Sequence, residues 1–454
     1  MTAAYLLPEV VCHTVAEHVG AGRDGAIAAA NRHSPRRLLD MVHSSGLRTR
    51  DQAAVALGSK WVELATADED AGNRYLIADA TDTEPGSFAD RALLRQNPLG
   101  VIEGIVVAAR VLGVREAFLA IRRSFETEYG IVTRSLAEAE TAGWLDRVSI
   151  KCIRTSDDYL VGEPSALLAT IEGVEALPLP RDPAINGLFA GDETASRNPT
   201  TVESIETLVN VAAVVLNGSA WLRGMGTPVS PGNLLCTITG DVNRHGVVEM
   251  ELGRRLVDAI EEGGCGFLPA SPPKAVLSGV SSPVLTRSRL AAPMSWEGLA
   301  AVGANLGRAA FRVYGESSDM FAVAHEIAGY LYVESCGLCP ACKFGSGEVT
   351  AYLARLVAGV GSRRDLEALG GRLATVTDSA QCALPTRLRE VVSSIMWAFP
   401  GDAAATVDRT PGTVPSVLEP LVDIVDGRAV YGDRQSRKRA DGVVQDQPVR
   451  LTRW

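Results

Sequence analysis

Aromatic residues make up only 5% of this 454-residue chain, so its core must be built from Ala, Val, Leu and Ile, and the 46% apolar share is ample for that. A basic excess is absent. The net charge of -10 argues against broad nucleic-acid binding and suits a soluble protein. No run of 18 apolar residues is free of charge. The nearest, GVIEGIVVAARVLGV at 100–114, is broken by Glu103 and Arg110, which excludes it as a membrane span. The opening MTAAYLLPEVVCHTVAEHVG has no basic stretch ahead of its apolar run and carries Glu9 and Glu17, so a secretory leader is not expected. These absences predict a cytoplasmic protein, or one peripheral at a membrane. The six histidines, His13, His18, His33, His43, His245 and His325, are scattered, and no nucleophile or general acid–base set accompanies them. Internal repeats are lacking.

What is present is a change of pattern along the chain. The length predicts two to four domains. Residues 1–40 read as a helical segment. Residues 41–227 alternate strand-like runs with amphipathic helices: YLIADA at 75–80, a helix over 99–113, strands at 115–123 and 147–154, and a helix over 204–219 capped by Ser204. Such alternation predicts an α/β sheet with helices on its faces. Residues 228–294 differ in pattern. Two strands joined by Gly-Asp-Val-Asn-Arg-His-Gly, a short helix, then a strand in KAVLSGVSSPVL together predict a small β-grasp-like module. Residues 295–405 follow the helical period. Residues 406–454 read as a flexible tail whose RQSRKR run is solvated or touches an acidic surface.

Cysteine is the informative residue. Four of the eight, Cys12, Cys152, Cys236 and Cys265, stand alone in apolar surroundings and read as structural thiols. The others are Cys336, Cys339 and Cys342 in ESCGLCPACKFGSGEV, with Cys382 forty residues on. The C-x2-C-x2-C spacing brings three thiolates to one volume. A [4Fe–4S] cluster needs four soft corners, and three together with a distant fourth match that need. Gly337, Gly345 and Gly347 would let the backbone approach the sulfurs. A zinc site, which favours two separated C-x2-C pairs, and plain thiols remain as alternatives.

On these residues the chain resembles the flavoprotein (51 kDa) subunit of respiratory NADH:quinone oxidoreductase and its relatives in NAD-linked hydrogenases and formate dehydrogenases. ESCGLCPACKFG is similar to the family's cluster motif, with Pro340 one place early and Lys343 for Arg, and Cys382 in QCALP matches the fourth ligand. EPGSFADR (84–91), the helix around 102–104, YLVGEPSALLATIEG (159–173) and PTTVESIETLVNV (199–211) extend the likeness over about residues 40 to 400. The resemblance implies a Rossmann-like FMN-type α/β domain, a small β-grasp (SLBB-like) domain and a C-terminal helical bundle carrying a [4Fe–4S] cluster. It implies FMN and NAD(P)H as further cofactors, and work inside a complex beside redox protein partners: a small [2Fe–2S] subunit, a ferredoxin-like protein or a membrane reductase.

The resemblance also directs attention to FMN/NADH-type contacts at Arg50, Gly58, Lys60, Glu84, Gly162 and Glu163. Around them the chain departs from the family's pattern. In GLRTRDQAAVALGSKW (46–61), Thr49, Asp51, Gln52 and Ala54 replace phosphate-loop glycines, and Val55 replaces an aromatic. Asp79, Thr81 and Asp82 replace flavin-bonding side chains, Pro164 a second Glu, and Glu203 and Ser204 a pair of Asn. Negative charge is added where a phosphate should sit, so weakened FMN and NADH binding is expected. The leading expectation is an electron relay through one cluster. The alternatives are an FMN-containing NAD(P)H dehydrogenase subunit and a redox-silent assembly subunit.

Overall fold

A computed structural model describes residues 4–50, 53–66, 73–189, 198–269, 271–377, 382–408, 410 and 416–438. The α/β part is built on four parallel strands, β1 Tyr75–Ala80, β2 Glu116–Arg122, β3 Ser149–Thr155 and β4 Thr200–Ser204, in the order β3-β2-β1-β4. Tyr75 sits in register with Glu116 on one side and Thr200 on the other. β1 is apolar on both faces because helices cover both, as a parallel sheet requires. Helices Pro98–Leu112 and Ile205–Asn217 pack closely, and Ser204 caps the second through Thr207 N–H at 3.2 Å. The strand order reverses direction between β1 and β4, the switch point at which open α/β sheets form a crevice.

The second sheet has five strands: β5 Asn233–Gly240, β6 Gly246–Glu251, β7 Pro273–Ser278, β8 Leu285–Thr286 and β9 Ala310–Gly315, ordered β6-β5-β9-β7-β8. β5 and β6 form the expected antiparallel hairpin. The expected boundary at 294 is too early. β9 lies at the centre of this sheet, parallel to β5 and antiparallel to β7, and its near-complete burial hides the period-2 pattern in sequence. Helices Met320–Glu334, Pro340–Val357, Arg363–Leu373, Leu384–Ala398 and Pro400–Val407 follow and share one apolar core.

The end of the chain also differs from expectation. Pro400–Val407 is helical, and residues 416–438 are a hairpin, β10 Leu421–Val425 with β11 Arg428–Tyr431, followed by a short helix Arg434–Arg437. This segment is fastened to three parts of the molecule. Arg91 donates to the Leu421 and Val422 carbonyls, and Leu421 N–H donates to Pro85 O at 2.7 Å. Ala429 N–H donates to His245 Nδ1 at 2.8 Å. Lys438 Nζ lies 2.9 Å from both Asp158 and Glu334, the residue two places before Cys336. The basic run therefore meets an acidic surface inside its own chain; its remainder, from 439 onward, lies outside the described residues.

Burial works to raise the Asp158 carboxyl, but Lys438, Ser156 and Arg434 outweigh it and hold the group well below the usual range. A depressed carboxylate stabilises the fold above its unfolded pKa, and that contribution is lost as pH falls through the folded value. The amide of Lys438, whose side chain pairs with Asp158, should therefore lose hydrogen-exchange protection at pH 2 relative to pH 6, because the loss begins below the ordinary carboxylate value of about 4 and continues toward the lower folded value. Equal protection at both pH values would contradict this role for Asp158.

Candidate functional site

The crevice between β1 and β4 is a cleft of about 350 Å³. Its walls come from the carboxyl end of β1 (Asp79, Thr81, Asp82, Thr83, Glu84), from β4, from the turn at Tyr159–Pro164, and from Arg308 and Arg387. Six carboxylates line it against three cations, Lys60, Arg308 and Arg387. Of the residues the sequence singled out, Lys60, Glu84, Gly162 and Glu163 reach the cleft.

Two do not. Arg50 is buried behind it: its Nη2 donates to Asn233 O at 2.9 Å, its Nε lies 3.5 Å from Glu206, and its guanidinium stacks 4.9 Å from the Trp296 ring. It ties the first sheet to the second. Gly58 is required by packing, since a Cβ there would come within 2.3 Å of His43 Cα on the preceding helix Pro35–Ser45. Asp51 and Gln52 lie outside the described residues.

Most charged groups of the cleft are paired with another residue of its wall or with a neighbouring element. Lys60 Nζ contacts Glu203 at 2.9 Å and Val202 O at 2.8 Å. Glu203 also accepts from Trp61 Nε1 at 2.9 Å and Thr201 Oγ1 at 2.6 Å. The carboxylate that stands where the resemblance expects Asn thus captures the lysine. Glu84 is held by Val280 N–H at 2.7 Å and Ser281 Oγ at 3.1 Å, and burial raises its carboxyl. Asp90 takes both Arg308 contacts at 2.7 Å. Asp82, 4% exposed and in the left-handed region at φ 46°, has neither oxygen hydrogen-bonded among the described residues, with only Arg91 Nε at 3.9 Å. Arg308, Arg387 and Asp90 were not anticipated, because their partners lie far away in the chain. No local spacing marks them.

The thiols collect beside the cleft. Cys339 is the N-cap residue of helix Pro340–Val357, Cys342 lies in its first turn, and Cys336 is in the loop leaving helix Met320–Glu334. Lys343 Nζ staples that loop, donating to Tyr332 O at 3.1 Å and to Ser335 O and Oγ at 3.0 Å. Cys339 and Cys342 are buried in the helical core, and Cys336 and Cys382 pack against the same cluster. Burial pushes the Cys342 thiol up to about 12, and Cys382, Cys339 and Cys336 add to the rise. Cys382, lifted by burial to about 11, is eased by a hydrogen bond from Leu384 N–H. Four crowded thiols in an apolar wall lose their protons only to a strong cationic centre, which fits a cluster. Among the described residues no group of three or more His, Cys, Asp or Glu side chains is already placed to hold a metal ion.

Gly345 and Gly347 face Val376 and Tyr332 and serve helix packing; Gly337, at φ 84°, turns the loop. The lone thiols divide: Cys12 and Cys236 are buried and Cys152 half-buried, but Cys265 is exposed, contrary to expectation.

Three further contacts join cleft to thiols. Arg387, in the first turn of helix Leu384–Ala398, pairs with Glu163 at 2.8 Å and donates to Tyr159 Oη at 3.1 Å. Tyr159 N–H donates to Glu334 at 2.9 Å.

Comparison with known proteins agrees with this arrangement. Residues 42–213 match the Nuo51 FMN-binding domain, and residues 322–406 match the NADH-ubiquinone oxidoreductase-F iron-sulfur binding region. The F 2 subunit of NADH-quinone oxidoreductase in Rhizobium meliloti (strain 1021) is 33% identical over 377 residues, covering 80% of this chain and 87% of the relative. The corresponding F-type subunit of Mycobacterium tuberculosis (strain ATCC 25618 / H37Rv) is 30% identical, covering 84% and 87%. A solved NAD+-reducing [NiFe]-hydrogenase in the H2-reduced state superposes with TM-score 0.75 at 29% identity; the match covers 86% of this chain and 65% of that one. The chain has the same mixed α/β fold with a parallel sheet and helices as that hydrogenase chain, and no described helix is long and apolar enough to cross a membrane. With an FMN-binding domain and a 4Fe–4S region in one chain, the protein belongs to the family of NADH-quinone oxidoreductase F-type subunits, which are electron-transferring oxidoreductases.

Proposed function

We propose that this chain is an iron–sulfur relay in which Cys336, Cys339, Cys342 and Cys382 hold one [4Fe–4S] cluster, beside a cleft whose ordinary FMN and NADH contacts are weakened. The observation that carries the reading is the shared wall: Arg387, five residues after Cys382, lines the cleft and pairs there with Glu163. A cluster supplies one-electron transfer, and a flavin, where bound, couples hydride to single electrons. The chain's own part is to bury the thiolates, hold the cleft against them and exclude water. Three bodies divide these tasks. An α/β FMN-type body begins near 41, a β-grasp-like body runs from 228 through β9, and the helices from 320 to 407 carry the thiols.

Weakening of the cleft rests on charge. Lys60 is already neutralised by Glu203, and Arg308 and Arg387 by Asp90 and Glu163, so the cleft offers a phosphate dianion no unpaired cation among the described residues. Electrons would then pass between a reduced donor and a redox partner, a ferredoxin-like protein, a small [2Fe–2S] subunit or a membrane reductase, with the chain cytoplasmic or peripheral at a membrane as part of a complex. The relatives' names describe subunits of NADH-quinone oxidoreductases and hydrogenases, which supports a place in such an assembly. A second reading, an FMN-containing NAD(P)H dehydrogenase subunit, is favoured by the open cleft at the switch point.

The visible spectrum of anaerobically purified protein separates the two. Broad cluster absorbance without flavin bands supports the relay; flavin bands bleached by NADH support the dehydrogenase. Glu203→Asn should release Lys60 and tighten FMN binding at least about tenfold, or about 1.4 kcal/mol, in a fluorescence titration. An affinity unchanged from wild type would refute capture of Lys60 as the cause.

A further inference from the structure

The contact between cleft and thiols is charged on both sides. Glu163 sits at the N-cap of helix Pro164–Ile171 and faces the cleft. Arg387 is mostly withdrawn from solvent, so its charge is weakly screened. Its Nη1 meets both the Glu163 carboxylate and the Tyr159 hydroxyl, and Tyr159 is itself pinned edge-on against Tyr330, with ring centroids 5.8 Å apart. Arg387 stands in the first turn of the helix that begins two residues after Cys382, with its N–H donating to Ala383 O at 3.0 Å, and it holds Glu163 at 2.8 Å. No other described cation of the cleft has this position: Lys60 is held by Glu203 and Arg308 by Asp90.

We propose that Arg387 is a positioning residue through which the cleft sets the reduction potential of the cluster, with Glu163 as the opposing charge. The proposal rests on the four-cysteine cluster assigned above. Reduction adds one electron from an external reductant and makes the cluster more negative. A fixed guanidinium near a cluster ligand stabilises the reduced form and raises the potential; the carboxylate paired with it acts in the opposite direction. Arg387 is charged at every accessible pH, so the effect does not depend on its protonation.

The test is an anaerobic redox titration with dithionite, followed by EPR, on the full chain of wild type, Arg387→Gln, Glu163→Gln and the double variant. Arg387→Gln should shift the midpoint to lower potential and Glu163→Gln to higher potential, with the double variant between them. A purely structural role would lower cluster occupancy without moving the midpoint. Equal midpoints with intact signals overturn the coupling. If Arg387→Gln cannot retain the cluster, Glu163→Gln decides alone, and an unshifted midpoint there overturns it. Absence of any reduced-cluster signal in the wild type would instead refute the cluster assignment itself, so the two failures are distinguishable.

Discussion

Cys336→Ser should leave the protein nearly iron-free after anaerobic purification, against about four irons per chain in the wild type. A serine hydroxyl stays protonated in this setting and cannot replace a thiolate at a cube corner. The same loss is expected of Cys382→Ser, although that residue is remote in sequence, because both pack against one core. Cys265→Ser is the control: it is exposed and outside that core, so iron and fold should both be retained. Iron analysis and the visible spectrum read all three. Unchanged iron in Cys336→Ser would remove that residue from the ligand set.

Lys438→Met should destabilise the fold by about 3 kcal/mol, the low end of the cost of breaking a buried ion pair. Glu334 is 1% exposed on its side chain, and without the lysine its partners among the described residues are the Tyr159 N–H at 2.9 Å and Arg434 at 3.9 Å. An uncompensated carboxylate would then be buried two residues from Cys336. The low end is chosen because Arg434 remains nearby. Urea denaturation of the two proteins measures the difference. A loss under about 1 kcal/mol, the range of an exposed pair, would mean that the C-terminal segment merely lies on the body and does not fasten it.

That segment shows where sequence reading stops. Locally coded features were legible: the apolar run of β1, the Ser204 cap, the Gly-rich hairpin between β5 and β6, and the cysteine spacing all lie within a few residues of their own cause. Features decided by distant partners were not. Lys438 meets Glu334 across 104 residues and Arg308 meets Asp90 across 218, so the basic run read as a flexible tail and nothing local singled out Arg308. β9 was missed because burial on both faces removes the alternation that marks a strand. At the cleft, the substitutions were visible as changes of charge. What Glu203 does could be read only once Lys60, Trp61 and Thr201 were seen around it. Arg50 and Gly58 show the converse. Residues that match a binding motif are here spent on domain contact and helix packing.

The most direct measurement is metal analysis joined to EPR on protein purified without oxygen. The account predicts about four irons per chain, no stoichiometric zinc, and a paramagnetic signal that appears on dithionite reduction. One zinc per chain with no signal after reduction would contradict it.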